Sequence, residues 1–136
     1  MVCDQNMSLK IAIGVGCRHG CPLELIEAVV RQALGRTPAA ERLGLFTIAD
    51  KREETGLKEA AASLGLDLVI LPREALRKKA PFVQTRSLRT ESLFGVPSVA
   101  EAAALAGAGP GSVLILARIA NEGATCAVAR SQEGPS

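Results

Sequence analysis

Aromatic side chains are scarce in this chain, whose 136 residues include three Phe and neither Tyr nor Trp. Proteins that stack nucleic-acid bases do so on aromatic rings, so this scarcity argues against a nucleic-acid partner. The net charge of +2 is too small to demand a polyanion by itself. Apolar residues make up 48% of the chain and are mostly aliphatic. We therefore expect one domain over residues 1–136, with an aliphatic core and flexible ends at 1–8 and 131–136.

Long apolar runs are missing as well. No run approaches the roughly 18 residues that a transmembrane helix needs. The polar residues 1–8 also lack the basic start and apolar stretch of a secretory signal. We therefore expect a cytoplasmic protein without a membrane partner. In that compartment the four cysteines are expected to be reduced thiols; they are Cys3, Cys17, Cys21 and Cys126.

Strand and helix patterns alternate along the chain. Strands are predicted at 9–15, 45–49, 66–71, 112–117 and 124–129, and helices at 22–34, 53–64, 72–79 and 98–106. Residues 80–90 lack periodicity and are predicted to be a long connection. The last two strands are too close in sequence for a helical crossover, so they should form an antiparallel hairpin. The predicted fold class is α/β, a three-layer α/β/α sandwich with a mainly parallel sheet of about five strands and a C-terminal antiparallel hairpin.

The most informative stretch is residues 14–20, Gly-Val-Gly-Cys-Arg-His-Gly, which we call the glycine loop. It follows the first predicted strand, and parallel sheets bind ligands at the carboxyl ends of their strands. Its glycines would let backbone N–H groups approach a ligand. The helix that begins near Pro22 would direct its positive end toward that ligand. The expected ligand is therefore an anion.

Several familiar motifs fit this stretch poorly. The spacing of Gly14, Gly16 and Gly20 is one residue too long for the dinucleotide fingerprint, and no Gly-Lys-Ser/Thr follows as in a P-loop. Cys17 and Cys21 are separated by three residues, and no second pair completes a tetrahedral metal site. We therefore expect neither a metal nor a cofactor. Cys17 is interpreted as an inert thiol, with a reactive thiolate as the alternative.

A second segment stands out by its charge. Residues 72–92 carry six basic residues against two acidic ones. This segment could meet carboxylates or phosphates, or it could be a solvated surface.

The glycine loop resembles the Gly-x-Gly-Cys-Arg/Lys-x-Gly loop of the cobalamin-biosynthesis family that comprises CobE and the C-terminal domain of CbiG. Three later segments are similar to the same family in the same order: residues 47–57, residues 95–104 with the sequence Gly-Val-Pro-Ser-Val-Ala-Glu-Ala-Ala-Ala, and the terminal strand at 124–129. The resemblance covers nearly the whole chain and is closest to the stand-alone CobE members.

This resemblance implies a role in building the corrin ring, whose precursors are tetrapyrroles rich in acetate and propionate groups. Arg18, Lys51 and Arg118 would then form a rim that binds carboxylates. The implied substrate-binding residues are Gly14, Gly16, Cys17, Arg18, His19, Gly20, Lys51, Glu54, Ser98, Glu101 and Arg118. Some have simpler interpretations: Ser98 as a helix cap, Lys51 and Glu54 as a solvated helical turn, and His19 as a surface residue.

Three functions remain open at this point. The leading hypothesis is a protein that binds a polycarboxylate precorrin or corrinoid intermediate, as a carrier or as an accessory to other cobalamin-pathway enzymes. The alternative is an enzyme, a cobalt-precorrin-5A-type lactone hydrolase that releases acetaldehyde. In that case His19 would be the catalytic acid or base, and loop amides would stabilise the oxyanion. The third is a structural partner of another biosynthetic enzyme, with residues 72–92 as the interface.

Overall fold

The structure, a computed structural model, describes residues 9–132. The expected flexible segment 1–8 and residues 133–136 of the expected C-terminal tail lie outside this range. The strands are β1 (Lys10–Cys17), β2 (Glu41–Ile48), β3 (Leu68–Leu71), β4 (Val113–Ala120) and β5 (Ala124–Arg130). The helices are α1 (Leu23–Leu34), α2 (Thr55–Leu64), α3 (Arg73–Arg77), α4 (Leu88–Phe94) and α5 (Val99–Ala108).

The strands form one five-stranded sheet in the order β3-β2-β1-β5-β4. Pairing is parallel among β1, β2 and β3. Strand β5 runs antiparallel to both of its neighbours, β1 and β4. The predicted α/β class, the five strands and the terminal hairpin at one end of the sheet are confirmed. Parallel pairing is confined to β1–β3, so the prediction of a mainly parallel sheet is only partly right.

Helices cover both faces of the sheet. On one face, α1 and α2 bury Ile26, Val29 and Leu57 against β1 and β5. On the other face, α5 lies across β1, β2 and β5 together with Leu76 of α3. This arrangement has the predicted three layers, and it leaves the carboxyl ends of β1 and β2 free to border a site. No helix within residues 9–132 is long and apolar enough to cross a membrane.

Glycine lets α5 approach the sheet closely. A Cβ at Gly14 would collide with the backbone oxygen of Ala100, and one at Gly107 would lie 2.6 Å from the ring of Phe46. Gly107 therefore lies inside α5, where its missing side chain makes room for the Phe46 ring. The helix is predicted from the sequence to end at this glycine, so α5 ends two residues later than predicted. Gly14 is likewise a packing residue within β1, buried under α5.

Two elements extend or add to the predicted ones. Strand β2 begins at Glu41 and not at residue 45, because its exposed start pairs with Lys10 of β1 without burying apolar side chains. Helix α4 begins within the predicted connection 80–90 and continues to Phe94, where no helix was predicted. It buries no residue and so leaves no apolar periodicity, and it is defined locally by the Ser87 cap and by Gly95 in the left-handed conformation.

Candidate functional site

A cleft of about 600 Å³ opens at the carboxyl ends of β1 and β2. Its walls come from four parts of the chain: the glycine loop, the turn after β2, the helices α4 and α5, and the β4–β5 hairpin. The lining residues are Gly16, Cys17, Arg18, His19, Lys51, Arg89, Thr90, Leu93, Phe94, Val99, Arg118, Asn121, Glu122, Gly123 and Thr125. Six of them are among the residues that the sequence predicted to bind substrate: Gly16, Cys17, Arg18, His19, Lys51 and Arg118.

The cleft combines positive charge with an apolar wall. Arg18, Lys51, Arg89 and Arg118 supply four basic groups, whereas Glu122 supplies the single carboxylate of the lining. The apolar surface comes from Leu93, Phe94 and Val99. Such a site suits a ligand that has both carboxylates and a sizeable apolar surface.

The glycine loop is docked onto the hairpin. Gly16 and Cys17 belong to β1, which ends two residues later than the strand predicted from the sequence. The backbone N–H of Arg18 donates a hydrogen bond of 2.9 Å to the carbonyl of Gly123. The exposed side chain of Arg18 is therefore presented to the cleft from a fixed backbone.

Three backbone N–H groups in or just after the glycine loop, those of Arg18, Gly20 and Cys21, donate to acceptors within the protein. Besides Arg18, Gly20 donates its N–H to Oε1 of Glu54 at 2.8 Å, and Cys21 donates its N–H to the carbonyl of Arg18 at 3.1 Å. Donors that already have protein acceptors are not available to a ligand. The start of α1 borders a separate depression, which also contains Glu53, Glu54 and Glu59. The residues at the start of α1 do not line the cleft.

His19 and Glu54 form a hydrogen-bonded pair at the edge of the cleft. Nδ1 of His19 lies 2.9 Å from Oε2 of Glu54, and the His19 side chain is 96% exposed. Burial raises the pKa of Glu54, but hydrogen bonds from Gly20 and His19 and the nearby charges outweigh it and hold the pKa below its usual value. Glu54 is therefore an ionised acceptor that fixes both the loop and the imidazole.

Lys51 lies in a helical turn, Ala49–Lys51, that follows β2. Its Nζ is 5.4 Å from the centre of the Phe94 ring, and the guanidinium of Arg73 is 5.9 Å from the same ring. Arg73 also pairs with Asp50 at 2.7 Å, and this hydrogen bond lowers the pKa of Asp50. Cation–π contacts and this ion pair thus hold the end of α4 beside the turn after β2.

Burial disfavours the thiolate form of the two cysteines near the cleft, Cys17 and Cys21. Burial raises the pKa of Cys17 to about 12, although the charge of Lys51 acts in the opposite direction. Burial likewise raises the pKa of Cys21. Within the part of the chain that the structure describes, no three His, Cys, Asp or Glu side chains come together as a possible metal site. The raised pKa values favour the protonated thiols over the thiolate form, which is the nucleophile and metal ligand.

Five of the predicted substrate-binding residues lie outside the cleft lining, and each has a role in the fold. Gly14 is packed under α5, and Gly20 and Glu54 are bonded to each other. The hydroxyl of Ser98 caps α5 by accepting from the N–H of Glu101 at 3.2 Å, as its simpler interpretation suggested. Glu101 is completely buried, and its carboxylate accepts four hydrogen bonds from Gln84, Thr85 and Arg118.

Sequence reasoning missed the contribution of α4 and of the hairpin tip. Arg89, Thr90, Leu93 and Phe94 line the cleft from α4, and Asn121, Glu122, Gly123 and Thr125 line it from the hairpin. Arg89 lies in the basic segment 72–92, so the charge excess was a usable signal for this residue. Leu93 and Phe94 of α4 and Val99 of α5, which also lines the cleft, had no such signal. The hairpin residues had none either, because only the sheet order brings the hairpin beside β1.

The chain is similar to proteins of one biosynthetic pathway. Residues 11–129 match the family described as cobalamin synthesis G C-terminus. The chain is 30% identical to the CobE protein of Sinorhizobium sp over 122 residues, which cover 88% of this chain and 79% of that protein.

Crystal structures agree with this match. The chain in the crystal structure of CobE, a protein from the cobalamin (vitamin B12) biosynthetic pathway, is 32% identical in sequence to this chain. The two structures match with a TM-score of 0.84 over 94% of each chain. The crystal structure of cobalamin biosynthesis protein chiG from Agrobacterium tumefaciens str. C58 is 34% identical, with a TM-score of 0.69 and coverage of 90% of this chain and 99% of that one. The family resemblance of the glycine loop is confirmed: this chain is a cobalamin-biosynthesis protein and belongs to the cobalamin synthesis G C-terminus family.

Proposed function

We propose that the cleft binds a polycarboxylate precorrin or corrinoid intermediate, and that the protein acts as a carrier or as an accessory to other enzymes of the pathway. One observation carries this proposal: four basic side chains surround an apolar wall in a cleft of about 600 Å³ at the carboxyl end of the sheet. Family membership supplies the chemical class, since corrin precursors are large rings with acetate and propionate side chains.

The charged groups are suited to orienting such a ligand. An arginine can hold a carboxylate through two parallel hydrogen bonds, whereas a lysine acts as a point charge. Arg18 lines the cleft from the glycine loop and Arg118 from the hairpin, while Lys51 comes from the turn after β2. Carboxylates at different points of one ring edge could therefore be bound at the same time.

The proposal is tested by titrating the protein with cobyrinic acid, a cobalt corrin with free peripheral carboxylates, and following the visible spectrum. We expect saturable binding that weakens as salt is added, because the contacts are ionic. The matched control is cobinamide, in which the peripheral carboxylates are amides, and we expect it to bind at least about tenfold more weakly. A flat titration with cobyrinic acid, or equal affinity for cobinamide, would overturn the proposal.

The His19–Glu54 pair supports a second candidate, hydrolysis of a precorrin lactone at the same site. The ionised Glu54 accepts the Nδ1 proton of His19, so Nε2 is left as the free basic nitrogen of the imidazole. Nε2 would take a proton from water as the oxygen of that water adds to the lactone carbonyl. The tetrahedral intermediate then expels the ring alkoxide, which receives the proton from the imidazolium and becomes a hydroxyl beside the new carboxylate.

This second candidate is tested with a lactone-bearing cobalt-precorrin and an assay for lactone opening and released acetaldehyde. We expect turnover that falls at least about a hundredfold in His19→Ala. Undiminished turnover in that variant would remove His19 as the acid or base. If the wild-type protein binds the compound without turnover, the binding function stands and the hydrolase falls.

A further inference from the structure

The cleft-facing side of α4 is unlike an ordinary surface helix. Arg89, Thr90, Leu93 and Phe94 line the cleft, and their spacing places them on neighbouring positions of one helix face. Leu88, one residue before Arg89, is 86% exposed and is not part of the lining. Leu93 is 53% exposed even though it lies inside a concave site. This leucine presents apolar surface to the space that a ligand would occupy.

Core packing contributes little to the position of α4, since none of its residues is fully buried and Phe94 packs against the core only in part. It is held at its two ends. Before the helix, the N–H of Ser87 donates to the carbonyl of Pro97 at 3.0 Å. At its end, Nη2 of Arg73 donates to the carbonyl of Leu93 at 3.0 Å, and Lys51 and Arg73 contact the Phe94 ring. The backbone carrying Leu93 is thus fixed while its side chain is left exposed.

The remaining basic residues of the cleft lie outside α4, although Lys51 contacts its Phe94 ring. Arg18, Lys51 and Arg118 come from other elements and would bind a small polycarboxylate without α4. A large flat ring differs from such an anion because its face is apolar, and burying that face against an exposed leucine is favourable. Arg89 lies one helical turn before Leu93, which places a cation beside the same apolar surface.

We propose that α4 is the specificity-determining wall of the cleft: Leu93 packs against the face of the bound ring, and Arg89 pairs with a carboxylate at its edge. This inference rests on the proposed binding function. It identifies α4 as the part of the site that makes the protein prefer amphiphilic ring polycarboxylates to small aliphatic polycarboxylates. The three basic residues outside α4 bind carboxylates of either kind.

The test uses matched variants on and beside α4. Leu93→Ser is compared with Leu88→Ser, which removes a more exposed leucine from the same helix outside the cleft. Arg89→Ala is compared with Arg86→Ala, since Arg86 is not among the lining residues. Each protein is titrated with cobyrinic acid, and citrate, a small polycarboxylate, is used as a competitor.

We expect Leu93→Ser to weaken cobyrinic acid binding about tenfold and to leave inhibition by citrate unchanged. Arg89→Ala should weaken cobyrinic acid binding about tenfold and reduce its dependence on salt. Both control variants should bind like the wild type. Melting temperatures monitor folding, and Leu93→Met should restore binding if Leu93→Ser also lowers stability.

Two results would overturn the inference while leaving the binding function in place. One is wild-type affinity in both Leu93→Ser and Arg89→Ala, and the other is an equal loss in the Leu88→Ser and Arg86→Ala controls. If the wild-type protein itself does not bind cobyrinic acid, the binding function fails first and this inference fails with it.

Discussion

The buried carboxylate of Glu101 accepts a hydrogen bond of 2.8 Å from the backbone N–H of Arg118, whose side chain lines the cleft. The same carboxylate accepts from the N–H groups of Gln84 and Thr85 and from the hydroxyl of Thr85. One side chain of α5 therefore connects β4 with the segment that leads into α4. Glu101 has the geometry of a positioning residue for two walls of the cleft.

Substituting Glu101→Gln is expected to destabilise the protein by about 2 kcal/mol, because an amide nitrogen cannot accept a hydrogen bond, whereas each carboxylate oxygen accepts at least one from a backbone N–H. Either orientation of the amide leaves at least one of these backbone N–H groups without its acceptor. Chemical denaturation measures this loss. Ligand binding should weaken as well, since Arg118 and α4 lose a common anchor. The isosteric variant keeps the packing, so an unchanged stability would contradict the role assigned to the carboxylate.

Glu54 makes stability depend on pH in a predictable direction. Its folded-state pKa lies below the ordinary value of 4.5, so its ionised form stabilises the fold above that pH, and this contribution is lost as the pH falls through the folded pKa. Glu54→Gln should therefore lower the free energy of unfolding by about 1 kcal/mol at pH 7. The difference from the wild type should shrink progressively below pH 4.5. Urea unfolding of both proteins across this range provides the measurement, and a difference that grows toward acid would show the opposite linkage.

Arg18 should affect binding without affecting the fold. Its side chain is exposed and lines the cleft, while its backbone N–H, which docks the loop, is kept in any substitution except proline. We expect Arg18→Ala to weaken cobyrinic acid binding about tenfold. The melting temperature should stay within about 1 °C of the wild type, since an exposed arginine contributes little stability.

The control for Arg18 is Arg42→Ala, which removes an exposed arginine at the start of β2, outside the cleft lining. This variant should bind normally. Equal losses of binding and stability in Arg18→Ala would instead make Arg18 a structural residue.

Cys17 should be chemically inert in the folded protein. With a pKa of about 12, only about one Cys17 thiol in ten thousand is ionised at pH 8, and the thiolate is the reactive form. Iodoacetamide should therefore label Cys17 at least about a hundredfold more slowly in the native protein than in urea. Mass spectrometry of the peptide that contains Cys17 gives both rates. Rapid labelling of the native protein would show that the thiol is activated.

Much of the fold was predictable because it depends on short-range patterns. The apolar stretches of β1 and β3 and the amphipathic α1 and α2 show their burial directly in their periodicity. Residues whose structure is not set by burial were harder to predict. The exposed start of β2 and the whole of α4 bury little apolar surface, so their hydrogen bonds and caps leave only a weak trace in the sequence.

The candidate site was predictable in part. The glycine loop, Lys51 and Arg118 could be placed at one edge of the sheet, because they follow or belong to its strands. The expectation that loop amides would hold an anion was wrong for Arg18, Gly20 and Cys21, since oxygens of Gly123, Glu54 and the loop itself accept from them. Glu54 and Glu101 lie at least 16 residues in sequence from the groups whose hydrogen bonds their carboxylates accept in the site. A contact over such a distance leaves no local sequence pattern from which it could be predicted.

By itself, the sequence determined the α/β class, the family and the position of the glycine loop, because hydrophobic periodicity and motif spacing are local properties of the chain. Only the tertiary structure decided which residues border the cleft. The sheet order puts the hairpin beside β1, and the carboxylate of Glu101 joins the hairpin to the segment before α4. These contacts join residues distant in the chain, so they exist only after the layers have packed.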